Sequence, residues 1–251
     1  MKILITGGNG YIAKSLSKKL DNVTLITRED FDLIDRDATN TWFRDKHFDI
    51  VIHTAISGGS RLQKDDSNVF YQNIQMFYNL LYNNHNFSKF ITFGSGAELN
   101  MPTNPYGLSK NIINRIIEQE PNFYNIRVYG VFDENELNTR FIKSNIKRYI
   151  NRQPIEIHQN KLMDFIYMED LISLVKYYIN NSIVPKVGEG CYRKKYSLLD
   201  IANLINNLSN YKVPINIQNK DLSLPYVGRM IPSINFIGLE EGIKKVYNKL
   251  K

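Results

Sequence analysis

The first twenty residues, MKILITGGNGYIAKSLSKKL, constrain the fold more than any other stretch of the sequence. Residues 3–5 form a short apolar run, which is typical of a buried strand. A glycine-rich turn follows, and apolar residues then recur at helical spacing up to residue 20. Glycines let the backbone turn sharply and let a pyrophosphate approach the start of the helix. We therefore predict that Gly7, Gly10, Tyr11 and Ile12 bind a dinucleotide, although a tight turn without a ligand can carry the same glycines.

The composition narrows the class of protein. The chain has 251 residues, 43% hydrophobic and 23% charged, as expected for a globular protein with a sizeable core. Cys191 is the only cysteine, which excludes an intrachain disulfide and fits a cytoplasmic location. The four histidines follow no metal-binding pattern, and no apolar run reaches the ~18 residues of a membrane span. We expect neither a metal nor a membrane anchor.

The formal charge of +7 raises the question of nucleic-acid binding. The lysines are scattered along predicted helices and are not massed in one block. A solvated surface that attracts a phosphate-bearing ligand explains this distribution better, so we expect no nucleic-acid partner. A non-catalytic dinucleotide-binding regulator that contacts nucleic acid stays a remote alternative.

The second predicted strand, residues 22–27, ends at the place where such folds recognise the adenine ribose. An acidic residue there binds the ribose 2′-hydroxyl, whereas an arginine accommodates a 2′-phosphate. Because Arg28 comes first after the strand, the sequence favours NADP over NAD. The alternative is that Arg28, Glu29 and Asp30 are simply polar residues leaving a strand.

Strands and helices alternate through the first half of the chain. Residues 48–55 and 87–93 read as strands, 57–66 as a loop and 68–83 as a helix, without any hairpin signal. This order predicts a Rossmann-type, doubly wound parallel sheet with helices on both faces. Ligands of such sheets lie beyond the carboxyl ends of the strands. The small residues Thr54 and Ala55 end one strand, so we assign both to the cofactor site.

Ser95, Tyr106 and Lys110 form the candidate catalytic group. Ser95 follows a predicted strand, and Tyr106 and Lys110 are four residues apart on one face of the next helix. A free tyrosine has a pKa of about 10 and is a poor acid or base at neutral pH. A nearby lysine ammonium and an oxidised nicotinamide favour the phenolate and so lower that pKa. The pair therefore fits proton transfer beside a nicotinamide.

Several motifs together resemble the extended short-chain dehydrogenase/reductase family, also known as the NAD-dependent epimerase/dehydratase family. The motifs are TGGNGYIA at 6–13, Ser95, YGLSK at 106–110 and DFIYMED at 164–170. The sequence is most similar to the GDP-fucose synthase-like 4-keto-sugar reductases. The resemblance implies that Ser95, Tyr106 and Lys110 are catalytic and that Tyr106 and Lys110 also contact the cofactor. It further implies that the segment from Arg28 to Asp35 binds NADP.

Departures from the family pattern narrow the chemistry. Family dehydratases carry an Asp-Glu pair after the catalytic hydroxyl, but Gly96 and Ala97 stand here, so dehydration is not expected. Fucose-synthase-like enzymes epimerise with a Cys at the position of Ala97 and with a downstream His, near which we align Arg140. The sequence therefore predicts reduction without 3,5-epimerisation.

The resemblance also assigns a substrate site and a second domain. Gly130 aligns with a sugar-contacting Asn, and Arg229 lies in a predicted pocket loop. Together with the residues discussed above, the substrate candidates are Ser95, Gly96, Ala97, Gly130, Arg140 and Arg229. Residues 1–132 and 162–185 are expected to form the dinucleotide-binding domain, and 133–161 and 186–251 a small C-terminal substrate-binding cap. Residues 123–132, which include Gly130, are predicted to form one strand. The family implies a homodimer that pairs helices 68–83 and 106–118.

The expected activity is NAD(P)H-dependent reduction of a nucleotide-linked 4-keto sugar at C4, in the synthesis of surface polysaccharide sugars. The alternative among enzymes is a nucleotide-sugar 4-epimerase that retains NAD. Sequence alone leaves the nucleotide and the sugar open.

Overall fold

The computed structural model describes residues 1–60, 63–221, 223–229 and 234–251. Positions 61 and 62 of the predicted loop 57–66 lie outside the described residues. The chain forms two compact units. Unit 1 comprises Met1–Arg127 and Val175–Gly188, and unit 2 comprises Val128–Leu174 and Glu189–Lys251. The domain boundaries expected from the sequence stay a prediction.

Strands and helices alternate as the sequence predicts. The strands are β1 Ile3–Thr6, β2 Val23–Ile26, β3 Phe48–His53, β4 Phe87–Ser95, β5 Phe123–Val128, β6 Val131–Phe132, β7 Ile155–Gln159, β8 Ile166–Tyr167, β9 Val187–Gly190 and β10 Ile215–Asn219. The α-helices are α1 Tyr11–Ser17, α2 Arg36–Phe43, α3 Ser67–Tyr82, α4 Ala97–Asn100, α5 Pro105–Ile117, α6 Phe141–Ile150, α7 Met168–Asn180, α8 Leu198–Asn206 and α9 Leu239–Leu250. None of the described helices is both long and apolar enough to cross a membrane.

The central sheet has six strands in the order β2-β1-β3-β4-β5-β9. Strand β1 pairs in parallel with β2 and with β3, and β3 pairs in parallel with β4. Strands β1 and β3 are buried almost throughout, as expected for inner strands of a parallel sheet, whereas the edge strand β2 is partly exposed. The predicted Rossmann-type α/β fold is confirmed.

A hydrophobic cluster holds the helices of unit 1 to this sheet. Phe43 of α2, Phe77 of α3 and Ile117 of α5 are fully buried against sheet residues such as Leu4 and Phe90. Each of these large side chains contributes about 1.5–3 kcal/mol by leaving water. The cluster therefore fixes α3 and α5 relative to β3 and β4, the elements that carry the candidate site.

The order of the strands creates a crevice at one point of the sheet. Strands β2 and β3 lie on opposite sides of β1, so the chain reverses its direction of travel across the sheet after β2. In open parallel sheets ligands bind at such a switch point, beyond the carboxyl ends of the strands. The turn after β1 and the segment after β3 meet there.

Unit 2 contains two small parallel sheets, β7 with β10 and β6 with β8. Helix α6 supplies fully buried Ile146 and Tyr149 to its core. The prediction of one strand over 123–132 is wrong, because β5 ends at Val128 and β6 pairs with β8. The break comes at Gly130, where a Cβ atom would lie 2.7 Å from the Phe165 ring.

Candidate active site

The glycine turn after β1 packs against the segment that follows β3. Gly7 has a φ of +69°, and a Cβ atom there would lie 2.7 Å from the backbone N and Cα atoms of Ala55. The Gly8 amide donates to the Ile26 carbonyl at 2.8 Å, and the Gly10 amide donates to the Gly7 carbonyl at 2.8 Å. The turn is thus fixed at the ends of β2 and β3, which only glycine at position 7 permits.

Helix α1 begins directly after this turn. Gly10 is its N-cap residue and offers no side-chain hydrogen bond to the first turn, which starts at Tyr11 and Ile12. A Cβ atom at Gly10 would meet only the Gly7 carbonyl oxygen, at 3.0 Å. First-turn amides without a capping side chain, reached over an exposed glycine, fit the pyrophosphate of a dinucleotide. Gly7, Gly10, Tyr11 and Ile12 would hold it there.

Thr54 and Ala55 lie beside the glycine turn. The Thr54 hydroxyl donates to the Thr6 carbonyl at 2.7 Å, and the Ala55 amide donates to Thr6 Oγ1 at 3.4 Å. Thr6 Oγ1 lies 2.8 Å from Nδ1 of the buried His53. Burial, with a smaller effect of Lys110, lowers the pKa of His53 to about 3. His53 is therefore neutral at pH 7 and links β1 to β3.

The polar residues after β2 differ in their exposure and in the hydrogen bonds that they make. Asp30 accepts hydrogen bonds from the amide and the hydroxyl of Thr27, at 2.8 and 3.2 Å. Arg28, between them, is exposed. Asp35 is the N-cap of α2 and accepts from the Ala38 amide at 3.0 Å. This contact gives Asp35 a structural role, and its contact with a cofactor stays a prediction.

Ser95 is the last residue of β4 and is 8% exposed. Its hydroxyl oxygen accepts from the Ala97 amide at 3.2 Å. Gly96 and Ala97 are buried at the start of α4. The serine hydroxyl is thus held at the carboxyl end of a central strand, and the two residues that follow it, Gly96 and Ala97, are small and carry no polar side chain.

Tyr106 and Lys110 stand on the first turns of α5. Asn104 caps this helix and accepts from the Tyr106 amide at 2.9 Å. The buried Lys110 ammonium donates to the Phe93 carbonyl at 2.6 Å. Burial lowers the pKa of Lys110 to about 8, while Glu98 opposes that change. Lys110 is therefore mostly charged at pH 7.

Close backbone packing brings the start of α5 to the residues after Ser95. A Cβ atom at Gly107 would lie 2.8 Å from the Ala97 carbonyl oxygen and would overlap the Met101 carbonyl. On the other side, a Cβ atom at Gly59 would lie 2.8 Å from the Tyr106 ring. Glycines at these positions let α5 rest on α4 and let the loop after β3 pass over the tyrosine ring.

Unit 2 carries the remaining substrate candidates. Gly130 packs under Phe165, and Arg140 is an exposed residue at the N-terminus of α6. Arg229 is also exposed and follows Gly228, whose amide donates to Asp164 at 2.8 Å. Their contact with a substrate stays a prediction. In the ranges that the structure describes, no group of His, Cys, Asp and Glu side chains could hold a metal ion.

A buried ion pair that was not predicted from the sequence lies beside the candidate site. The Arg127 guanidinium donates to Glu98 at 2.6 Å, and both side chains are almost fully buried. An arginine within a predicted buried strand is the signal that could have revealed it, since arginine is rarely buried without a partner. The partner, 29 residues away, has no sequence signal.

The fold and the glycine turn define a dinucleotide-binding α/β protein of the Rossmann type. A family model described as "NAD dependent epimerase/dehydratase family" matches residues 3–188. The chain belongs to this family and is an NAD(P)-dependent oxidoreductase. The resemblance inferred from the motifs is confirmed.

Relatives and solved structures agree with this family. The chain is 22% identical to CDP-abequose synthase of Yersinia pseudotuberculosis over 72% of this chain and 74% of the relative. It is 25% identical to GDP-L-colitose synthase of the same organism over 98% and 96%. GDP-mannoheptose C4 reductase of Campylobacter jejuni, solved with NADP bound, superimposes with a TM-score of 0.84 at 17% identity, over 99% of this chain and 98% of that one. This last match shows a shared fold.

Proposed function

We propose that the protein is an NADPH-dependent reductase of a nucleotide-linked 4-keto sugar, acting at C4 without 3,5-epimerisation. One observation carries the proposal: a serine ends β4, and a tyrosine and a buried lysine follow one turn apart on α5, in the same unit as the glycine turn. Relatives named as synthases of CDP- and GDP-linked sugars support the substrate class. The sugar produced would enter surface polysaccharide synthesis.

Ser95, Tyr106 and Lys110 have different tasks in the proposed reaction. The reduced nicotinamide, when bound, supplies the hydride. Tyr106 donates its phenolic proton to the sugar oxygen as a general acid. Lys110 stabilises the phenolate that remains, and those of its donors not used on Phe93 would hold the cofactor ribose. Ser95 hydrogen-bonds the carbonyl oxygen, most strongly as negative charge develops there.

The surroundings of Ser95 favour reduction over the other reactions of this family. Gly96 and Ala97 provide neither acid nor base, so nothing at these positions removes a proton from the neighbouring sugar carbons. Both residues are buried, which leaves little space for water to substitute for a missing base. Hydride transfer with one proton donor is what remains.

Arg28 supports NADP as the cofactor. The residue is exposed at the end of β2, while the nearby Asp30 carboxylate is occupied by Thr27. An acid that already accepts two local hydrogen bonds is poorly placed to bind a ribose 2′-hydroxyl. A guanidinium beside it suits a 2′-phosphate.

A homodimer through α3 and α5 is part of the proposal, with a second copy of this chain as the partner. Tyr71, Tyr78 and Tyr82 of α3 are spaced by seven and four residues and are each more than half exposed. Leu108 of α5 is 37% exposed. Large exposed apolar side chains on one helix face commonly mark an interface between copies.

The direct test follows absorbance at 340 nm while purified protein is mixed with NADPH or NADH and a panel of GDP-, CDP-, UDP- and dTDP-4-keto sugars. Oxidation with one of them would identify the reductase and its nucleotide. The family also includes epimerases, and a 4-epimerase retains its cofactor through the reaction. Tightly bound NAD in the purified protein, with no net oxidation, would replace the proposed reductase by a 4-epimerase.

A further inference from the structure

A buried polar cluster lies directly behind Ser95. Glu98 projects inward from α4 and is 1% exposed. Its Oε1 atom accepts from Arg127 Nε at 2.6 Å, from the Ser95 amide at 3.3 Å and from Asn125 Nδ2 at 3.4 Å. A Cβ atom at Gly94 would lie 2.6 Å from the same carboxylate oxygen. The end of β4 therefore rests against Glu98.

Two buried charged side chains form hydrogen bonds with neighbouring peptide groups of β4. Lys110 donates to the Phe93 carbonyl, and Glu98 accepts from the Ser95 amide. The segment between them carries Gly94, which has no side chain to fix its own conformation. These two contacts therefore hold the backbone on both sides of Gly94.

We propose that Glu98, held by Arg127, is a positioning residue of the active site: it fixes the backbone of Ser95 and keeps a negative charge beside Lys110. The inference rests on the proposed roles of Ser95 and Lys110. It adds a carboxylate that would touch neither substrate nor cofactor. A surface carboxylate would be screened by water, whereas a buried one acts strongly on its neighbours.

Electrostatics support this arrangement. Burial raises the pKa of Glu98, and Arg127, Lys110 and the Ser95 amide oppose that rise. Glu98 on α4 favours the charged form of Lys110, Lys110 in turn disfavours protonation of His53 on β3, and Arg127 on β5 binds Glu98. Tyr106 lies one turn before Lys110 on α5. His53 is neutral at pH 7, so Glu98 is the anion that favours the charged form of Lys110.

The test measures the Lys110 titration directly and needs no substrate. Protein labelled with 13C at the lysine ε-carbon is titrated by NMR, and the Lys110 resonance is assigned by its loss in Lys110→Arg. Glu98→Gln should lower the Lys110 midpoint from about 8 by about one to three pH units, the usual effect of losing an adjacent opposite charge. Glu118→Gln is the matched control, because it removes an exposed carboxylate that binds Asn114 on the same helix.

A second variant guards against misfolding caused by an unpaired buried arginine. Glu98→Gln combined with Arg127→Met removes both charges, and the Lys110 midpoint should still fall below that of the native protein. An unchanged midpoint in both Glu98 variants, or an equal fall in Glu118→Gln, would overturn the proposal. Because these titrations use no sugar, a failed reductase assay would leave their outcome unaffected.

Discussion

The backbone of Ala55 occupies the space that a Cβ atom on Gly7 would need, with only 2.7 Å between them. Gly7→Ala should therefore destabilise the fold by about 1–3 kcal/mol and weaken NADPH binding, since the residue combines a left-handed φ with a backbone collision. Urea unfolding and a cofactor titration measure both effects.

Gly238→Ala is the matched control for this prediction. Gly238 has a φ of +94°, but nothing lies within 4 Å of a Cβ atom there. Its substitution should cost about 1 kcal/mol from backbone strain alone and leave NADPH affinity unchanged. Equal losses in the two variants would show that the contact with Ala55 has no importance.

Arg28→Ala should raise the KM for NADPH by about 10- to 100-fold and leave that for NADH unchanged. A charged hydrogen bond to a phosphate contributes about 1.5–3 kcal/mol, and only NADPH carries the 2′-phosphate. Arg44→Ala removes another exposed arginine of unit 1 and should alter neither value. A parallel rise of both KM values in Arg28→Ala would contradict a role in cofactor choice.

Tyr106→Phe should lower kcat by about 10²- to 10⁴-fold, because the ring keeps its packing against Gly59 while the proton donor is lost. NADPH affinity, followed by fluorescence, should stay within about threefold of the native value, less than a tenfold step of 1.4 kcal/mol. Tyr71→Phe, on the exposed face of α3, controls for loss of a hydroxyl. Full turnover by Tyr106→Phe would remove this tyrosine from the mechanism.

His53 should make the protein sensitive to acid. The folded state keeps this ring neutral until the pH approaches 3, the folded pKa of His53, whereas the unfolded chain takes up a proton near the ordinary histidine pKa of 6.5. The unfolded state therefore binds more protons between these values, and stability falls as the pH falls from 6.5 toward 3. The part due to His53 is about 2 kcal/mol between pH 7 and pH 5.

His53→Gln should remove that part of the pH dependence while keeping a polar partner for Thr6. Urea unfolding at pH 7 and pH 5 gives the difference for each variant. His47→Gln replaces an exposed histidine and should behave as the native protein does. An identical loss of stability in His53→Gln and in the native protein would mean that another group is responsible.

If the proposed dimer forms, Tyr78→Arg should convert it to a monomer, because the arginine would place a charge in the middle of the exposed tyrosine face of α3. Sedimentation velocity measures the change. Ile183→Arg alters a side chain that is 91% exposed outside α3 and α5 and should leave the proposed dimer intact. A native protein that sediments as a monomer would refute the proposed pairing.

Local signals in the sequence account for most of the fold and for the linear motifs of the site. Each of these signals spans only a few residues: the apolar run at 3–5, the glycine turn and the Tyr106–Lys110 spacing. The sequence pattern therefore determines the local backbone structure at these places. The sequence predicts a continuous strand over 123–132 because its apolar pattern continues past Gly130. The interruption follows from a change of partner, since β5 belongs to the central sheet and β6 pairs with β8, which is distant in sequence.

The contacts that support the site were not predictable in the same way. Glu98 and Arg127 meet only after β4, α4 and β5 have packed, and no periodicity links residues 29 positions apart. Likewise, the capping of α2 by Asp35 was not predicted from the sequence. Its contact with a cofactor stays a prediction.

Because β1 lies between β2 and β3, the cofactor site can form only after β3 has been synthesised. Ala55, which packs against Gly7, emerges from the ribosome about fifty residues after it. A nascent chain shorter than this has the glycine motif and no crevice. Once β3 has added to β1, a bound dinucleotide stabilises the pairing by mass action. Resistance of the first sixty residues to a protease should therefore increase with cofactor concentration.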